Sequence, residues 1–416
     1  MPTWKVFGGK TLSGKLKVQG AKNAVLPIMA ASLIGGGVSR LEGCPQLSDL
    51  DASAQILQHL GCSVLREGDV ITIDSSSMCR SHIPHELMLK MRSSVMYMGA
   101  ILARKGEVRL STPGGCELGS RPIDLHLKAL SALGAEISEE GGEVCCRANG
   151  LRGAHINLDF PSVGATENAM LAACAAEGET VITNAACEPE IEDLQNFLVS
   201  KGAYIEGAGS PVIRIRGFAP KEYVCHRIMS DRIVASTYLC AVASAGGEML
   251  LENVVPAHFS TVLTSLKAMG CGIISGQDYV RIRRTGALRA SKPVVTKPYP
   301  GFPTDAQALL MAACLKADGT SVFVENIFES RYRHVPELCR LGADIRTEGR
   351  VAMVTGVERL CGAPVTACDL RGGAALVLAA LAAEGETRVF DSGHIERGYE
   401  SFDSCLAALG ADIEKI

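Results

Sequence analysis

ENAMLAACAAEG (Glu167–Gly178), ETVIT (Glu179–Thr183), DLQNFLVSKG (Asp193–Gly202) and AYIE (Ala203–Glu206) lie close together in the middle of this 416-residue chain. Ala, Leu and Met dominate the first segment, which favours a helix stopped by its closing glycine. A short β-branched strand is expected at Thr180-Val181-Ile182. A second amphipathic helix is expected over Asp193–Lys201, closed by Gly202. Two short strands then follow at Ala203-Tyr204-Ile205 and Val212-Ile213-Arg214-Ile215. The unit reads β-α-β-α-β-β, an α/β architecture.

The unit recurs. Leu60-Gly61, Leu133-Gly134, Lys201-Gly202, Met269-Gly270, Leu341-Gly342 and Leu409-Gly410 close six second helices at spacings of 73, 68, 68, 72 and 68 residues by subtraction. Each of these glycines follows another (Gly37, Gly106, Gly178, Gly247, Gly319, Gly385) by 23 to 28 residues. Six such units are longer than solenoid repeats, which argues against simple stacking. Two domains of three units each are expected, residues 22–229 and residues 1–21 plus 230–416, facing each other across a cleft. The last unit stops at Ile416, just after its first closing strand. The N-terminal segment Gly14–Gln19 is therefore expected to complete its sheet, so that the termini meet in the second domain.

Net charge is -4, which excludes a broad nucleic-acid-binding face. The N-terminus has no signal-peptide-like apolar core, and apolar stretches such as Ala24–Val38 are too short to span a membrane. A cytoplasmic protein is expected, with a monomer as its state. Many of the 16 Cys sit in apolar runs (Cys174, Cys240, Cys314, Cys405) and read as reduced core thiols.

Charges also recur in phase. Lys22, Arg92, Ser162, Arg232, Asp305 and Arg371 fall 70, 70, 70, 73 and 66 residues apart, each at the start of a first helix. Thr304 is the candidate cap beside Asp305. Arg121, Glu188, Arg331 and Arg397 hold the matching place ahead of second helices. Helix N-termini carry free N–H groups and partial positive charge, so they suit anionic ligands. Lys22, Arg92, Arg121, Arg331, Arg371 and Arg397 imply a ligand with several negative charges, such as phosphate plus carboxylate. A carboxylate among them, Asp305, fits a general base for a hydroxyl nucleophile, or else a cap or an arginine partner. Glu188 and Asp231 suit orienting roles as well as catalysis. Cys116 sits in a polar loop with Gly114, Gly115 and Gly119, five residues before Arg121. Nearby cations make a thiol reactive, as nucleophile or proton donor.

Six stretches carry a resemblance: GAKNA (Gly20–Ala24), PGGCELGSRP (Pro113–Pro122), PSVGATEN (Pro161–Asn168), FPTD (Phe302–Asp305), DLR (Asp369–Arg371) and HIERGY (His394–Tyr399). Together they resemble the UDP-N-acetylglucosamine enolpyruvyl transferases, which open peptidoglycan precursor synthesis. The similarity runs from about residue 4 to the C-terminus. It implies two inside-out α/β barrel domains, the enolpyruvyl transferase fold. It also implies transfer of the enolpyruvyl group of phosphoenolpyruvate to the sugar 3'-hydroxyl, releasing phosphate. By the same resemblance Lys22, Arg121 and Arg397 clamp the phosphoenolpyruvate phosphate, with Asn23 close by, and Arg331 and Arg371 lie near its carboxylate. Asn23, Arg92, Arg121, Pro122, Ile123, Asp124, Leu125, Pro161, Ser162, Val163, Gly164, Asp305 and Ile327 match UDP-sugar contacts. Cys116 resembles the general acid that fosfomycin alkylates, and Asp305 the base. No metal or organic cofactor is implied, and both substrates are small molecules.

The chain departs from the family pattern at Val234, where an acid is usual, and at Phe160, where some members have Lys. Three rivals remain: a weakly active or non-catalytic paralogue that binds the UDP-sugar, a shikimate 3-phosphate enolpyruvyl transferase, and an RNA-phosphate cyclase built on similar units. The Cys116 loop opposes the second and the charge balance the third.

Overall fold

The structure, a computed structural model, describes residues 3–111 and 123–416. Its described strands form six four-stranded sheets with one shared order. In the third repeat, His155–Asn157 runs parallel to Glu179–Thr183. Val212–Phe218 lies antiparallel on the other side of Glu179–Thr183, and Ala203–Glu206 takes the edge. Every repeat therefore keeps its last strand inside and its third strand outside.

The chain separates into two compact units, residues 20–111 with 123–229, and residues 3–19 with 230–416. Each has its own apolar core. In the second unit the first helices Arg232–Ala245, Thr304–Cys314 and Leu370–Ala382 pack against one another in pairs. Thirteen of the 14 residues of Arg232–Ala245 are buried, so this helix needs no polar face. In the first unit Tyr97–Lys105 packs on Val163–Ala173 and more lightly on Lys22–Ala31, which lies mainly against Pro189–Lys201. The third-repeat helices begin earlier than their composition suggests. Ser162 Oγ accepts from the Ala165 amide at 3.4 Å and starts the first at Val163, while Pro189 opens the second.

The closing of the sheets corrects one expectation. Thr3–Phe7, not Gly14–Gln19, completes the last sheet, lying between Glu386–Phe390 and Asp412–Lys415. The next strand, Leu12–Lys17, instead runs parallel to Gly247–Glu252 and supplies the first strand of the fourth repeat. Burial explains the assignment. An inner strand hides alternate side chains, as Trp4 and Val6 are hidden, whereas Leu12–Lys17 buries only Leu12 and suits an edge. The termini do meet: the Thr3 amide donates to the Ile416 carbonyl, and Ile416 to Thr3, both at 2.9 Å. In the first unit the corresponding strand comes from far along the chain, as Tyr223–Arg227 runs parallel to Val38–Glu42.

All twelve repeat glycines have φ between +72° and +113°, a region that other residues rarely adopt. Gly247 and Gly202 are the most constrained of the twelve, since an added Cβ would lie 1.9 Å from the Leu12 or the Ala219 carbonyl oxygen, respectively. Gly247→Ala should displace Leu12–Lys17 from its sheet and cost about 2–4 kcal/mol. Thermal unfolding of the purified variant checks this, and an unchanged Tm would contradict it.

The fifteen described cysteines are free thiols. Burial pushes the Cys44 thiol up to about 12 and raises Cys174, Cys240 and Cys314 as well. Cys79, Cys225, Cys339 and Cys361 are exposed, so the core reading does not extend to them.

Candidate active site

In the first unit Lys22 is the first residue of its helix, and its Nζ lies 3.1 Å from Asp49 Oδ2 with both side chains buried. Asn23 follows, half-buried. Arg92 opens the short 3-10 segment Arg92–Met96 that leads into Tyr97–Lys105. Cys116, Arg121 and Pro122 lie outside the described residues. Ile123 stands just ahead of Asp124–Ala132, which begins with Asp124 and Leu125. Pro161, Ser162, Val163 and Gly164 form a half-buried turn at the start of Val163–Ala173, and Phe160 beside them is exposed.

A buried pair behind that turn had no signal in the repeat pattern. Asn168 Nδ2 donates to His126 Nδ1 at 2.7 Å and to the Val95 carbonyl at 3.1 Å, while its Oδ1 accepts from the Gly99 amide at 2.6 Å. Burial pushes the His126 imidazole down to about 4. It stays neutral with its proton on Nε2, 3.3 Å from where a Cβ on Gly164 would stand.

Glu167, one residue before Asn168, is fully buried. Burial first, then Glu190 and Glu188, push its carboxyl well above the usual carboxylate range. A folded pKa above the unfolded value leaves stability intact below the unfolded pKa and erodes it as pH rises. Glu167→Gln should therefore raise Tm at pH 7 and lose that advantage as pH falls toward 4.5. Melting curves across this window check it, and a pH-independent difference would contradict it.

In the second unit the charges in phase converge on one carboxylate. Asp305 Oδ1 lies 3.4 Å from Arg331 Nη2 and 3.4 Å from Arg371 Nε. Both guanidiniums are 3% exposed, whereas Asp305 is 35% exposed, so the carboxylate is the accessible member. Burial opposes the charge of Arg371, but Tyr399, Asp305 and Asp231 more than offset it and hold its pKa above the usual value. Its guanidinium carbon lies 5.4 Å from the Tyr399 ring centre. Arg331 Nη2 also donates to the Thr304 carbonyl at 3.2 Å, and Arg331 Nη1 lies 3.9 Å from Asp369. Burial would raise the Asp369 carboxyl, but Arg331 and the amides it caps outweigh that and lower it. Arg331 Nε and Arg371 Nη1 are buried without a hydrogen-bond partner among the described residues.

Three neighbours were not singled out by the sequence. Glu325 accepts from the Ile327 and Phe328 amides at 2.8 and 3.1 Å. Asp391 accepts from the His394 and Ile395 amides at 2.8 and 3.1 Å, holding the turn Ile395–Arg397 that carries Arg397. Gln19 donates to the Gly398 carbonyl at 3.3 Å and accepts from the Glu400 amide at 2.9 Å. The available signal was a polar residue directly after the second strand of a repeat, at Asn184, Asn253, Glu325 and Asp391. Thr304 departs from its expected role. Its helix has Pro303 at the cap position with no side-chain cap, and Thr304 Oγ1 instead donates to Glu325 Oε2 at 3.0 Å. Asp231 and Asp369 do cap, each accepting from two amides at the starts of Arg232–Ala245 and Leu370–Ala382. Val234, where an acid is usual, is 1% exposed and belongs to the apolar core.

Fold and charge placement together define an enolpyruvyl-transferase-type protein, and residues 6–406 match the model of the EPSP synthase (3-phosphoshikimate 1-carboxyvinyltransferase) family. The chain belongs to that family. Within it, the chain is 49% identical over 416 residues to UDP-N-acetylglucosamine 1-carboxyvinyltransferase 2 of Caldanaerobacter subterraneus, covering all of both chains. It is 47% identical over 421 residues to UDP-N-acetylglucosamine 1-carboxyvinyltransferase of Zymomonas mobilis, covering 99% of each. Among solved structures, the enolpyruvyl transferase NikO from Streptomyces tendae superposes with a TM-score of 0.89 at 26% identity, covering 100% of this chain and 98% of that one. EPSP synthase from Acinetobacter baumannii shares the fold, with a TM-score of 0.73 at 20% identity and full coverage of both chains.

Proposed function

We propose that this protein transfers the enolpyruvyl group of phosphoenolpyruvate to the 3'-hydroxyl of UDP-N-acetylglucosamine, releasing phosphate, at the first committed step of peptidoglycan precursor synthesis. The observation that carries this reading is Asp305, partly exposed beside two buried guanidiniums whose Arg331 Nε and Arg371 Nη1 donors have no protein partner among the described residues. A base beside spare cationic donors suits a hydroxyl nucleophile attacking an anionic enol ester.

The chemistry is assigned as follows. Cys116 gives a proton to C3 of phosphoenolpyruvate, which makes C2 electrophilic. Asp305 takes the proton of the 3'-hydroxyl as its oxygen bonds to C2, giving a tetrahedral adduct. Return of a C3 proton to the Cys116 thiolate restores the double bond while the C2–O bond to phosphate breaks and phosphate leaves. Lys22, Arg121 and Arg397 neutralise the phosphate, and Arg331 and Arg371 the carboxylate, holding the reactants in an attack geometry. Asn23, Arg92, Arg121, Pro122, Ile123, Asp124, Leu125, Pro161, Ser162, Val163, Gly164 and Ile327 are assigned to the UDP-sugar. The names of the full-length relatives favour this acceptor over shikimate 3-phosphate.

Phosphate release from phosphoenolpyruvate, with each acceptor in turn, tests the proposal. Release with UDP-N-acetylglucosamine alone, abolished by fosfomycin preincubation, is expected. Release with shikimate 3-phosphate alone, or UDP-sugar binding without release, would overturn it.

A further inference from the structure

Glu325 is 1% exposed, and its carboxylate takes four hydrogen bonds from three separate segments. Oε1 accepts from the Ile327 amide at 2.8 Å, the Phe328 amide at 3.1 Å and Thr296 Oγ1 at 3.0 Å. Oε2 accepts from Thr304 Oγ1 at 3.0 Å. Thr304 immediately precedes Asp305, and its carbonyl in turn accepts from Arg331 Nη2 at 3.2 Å. One buried acid thus ties the helix start that carries Asp305 to the loop that carries Ile327 and Arg331.

Comparison of the repeats shows that this tie is specialised. The same position, directly after the second strand of the repeat, is Asn184 and Asn253 in two others. Both asparagines adopt positive φ and donate to a neighbouring segment, Asn184 to the Leu158 carbonyl and Asn253 to the Val18 carbonyl, each at 2.7 Å. They hold the sheet. Only Glu325 and Asp391 are acids here, and each takes amides of the loop leading to Arg331 or Arg397. A scaffold role would be met by asparagine. Among the described residues, a carboxylate that fixes loop amides precedes Arg331 and Arg397; ahead of the third second-helix arginine, Arg121, the position is Thr112, outside the described residues.

We infer that Glu325 is a positioning residue for enolpyruvyl transfer, setting the placement of Asp305 against the Ile327 main chain and hence acceptor binding and activation. The inference rests on the transfer reaction proposed above. Glu325 touches no reacting atom in this assignment; it acts through Thr304, Asp305 and Ile327.

The test compares Glu325→Ala and Glu325→Gln with the unaltered enzyme in steady-state phosphate release, varying UDP-N-acetylglucosamine and phosphoenolpyruvate separately, with Tm measured alongside. An amide preserves the geometry: its oxygen can face the Ile327 and Phe328 amides and its NH2 can donate to Thr304 Oγ1. Glu325→Gln is expected to stay within about threefold of the unaltered enzyme in kcat/KM for the UDP-sugar. Glu325→Ala is expected to lose about 100-fold in kcat/KM for the UDP-sugar, with KM for phosphoenolpyruvate changed by no more than about threefold. A fall in Tm with unchanged acceptor kinetics, or a rise in KM for phosphoenolpyruvate as large as that for the UDP-sugar, would overturn the inference. If Glu325→Ala does not fold, Glu325→Gln and Thr304→Val decide it. Thr304→Val removes the Oε2 bond alone and should raise the acceptor KM, and no change there refutes the role. Failure of the unaltered enzyme to release phosphate would instead refute the proposed reaction, so the two failures are distinguishable.

Discussion

Asp305→Asn should lower kcat for UDP-N-acetylglucosamine about 1000-fold while the protein folds normally. The substitution keeps the side-chain shape, and one oxygen can still accept from Arg331 or Arg371, which approach the same Oδ1 at 3.4 Å. What it removes is an atom able to take the hydroxyl proton, and positioned bases contribute about 100- to 10,000-fold. The partial exposure of Asp305 matters here, since a substrate hydroxyl must reach it, while its two cationic partners are buried. Single-turnover phosphate release, compared with the binding constant of the UDP-sugar, separates the two contributions. A KM rise with kcat intact would show that Asp305 only binds, reducing it to an arginine partner.

Arg371→Ala should lose turnover and also destabilise the fold, by about 3–5 kcal/mol or about 10 °C in Tm. The reason is its surroundings. The guanidinium is fully buried, lies beside Asp305 and over the Tyr399 ring, and feels Asp231 as well. Its removal leaves a void and takes one cation from beside Asp305 and Asp231. Arg371→Lys restores the charge but not the planar fork, so it should recover stability more than activity. Combining Arg371→Ala with Asp305→Asn should cost less stability than the sum of the two, because they share one interaction. Strict additivity would mean that the 3.4 Å contact carries no energy. The stability arm is independent of the proposed reaction, whereas the activity arm depends on it.

Much of this organisation is legible along the chain because it is periodic. Glycines at a constant spacing report a backbone requirement, positive φ, that few other residues meet, and all twelve adopt it. The second set does close helices, whereas Gly37, Gly178, Gly247, Gly319 and Gly385 stand past the ends of the first helices, which stop at Ala31, Ala173, Ala245, Cys314 and Ala382. The phase of Lys22, Arg92, Asp305 and Arg371 is legible for the same reason, since equivalent positions in equivalent repeats fall at equivalent helix starts. Non-periodic features were not legible. Trp4 and Val6 mark an inner strand only once the sheet they enter is known, and that sheet is assembled from both chain ends. Thr304 looks like a cap because capping is a local rule, yet its hydroxyl goes to Glu325, 21 residues further on. The pairing of Asn168 with His126 spans 42 residues and leaves no spacing signature.

The repeat, the α/β class, the number of units and the residue types at each helix start follow from local propensity and periodicity along the chain. Tertiary structure alone decided which strand closes which sheet, which cations share Asp305, and that Glu325 and Asp391 hold the arginine-bearing loops. Those choices depend on hydrogen bonds and burial between segments far apart in the chain, and such partners are selected by the packed core rather than by any neighbour in sequence.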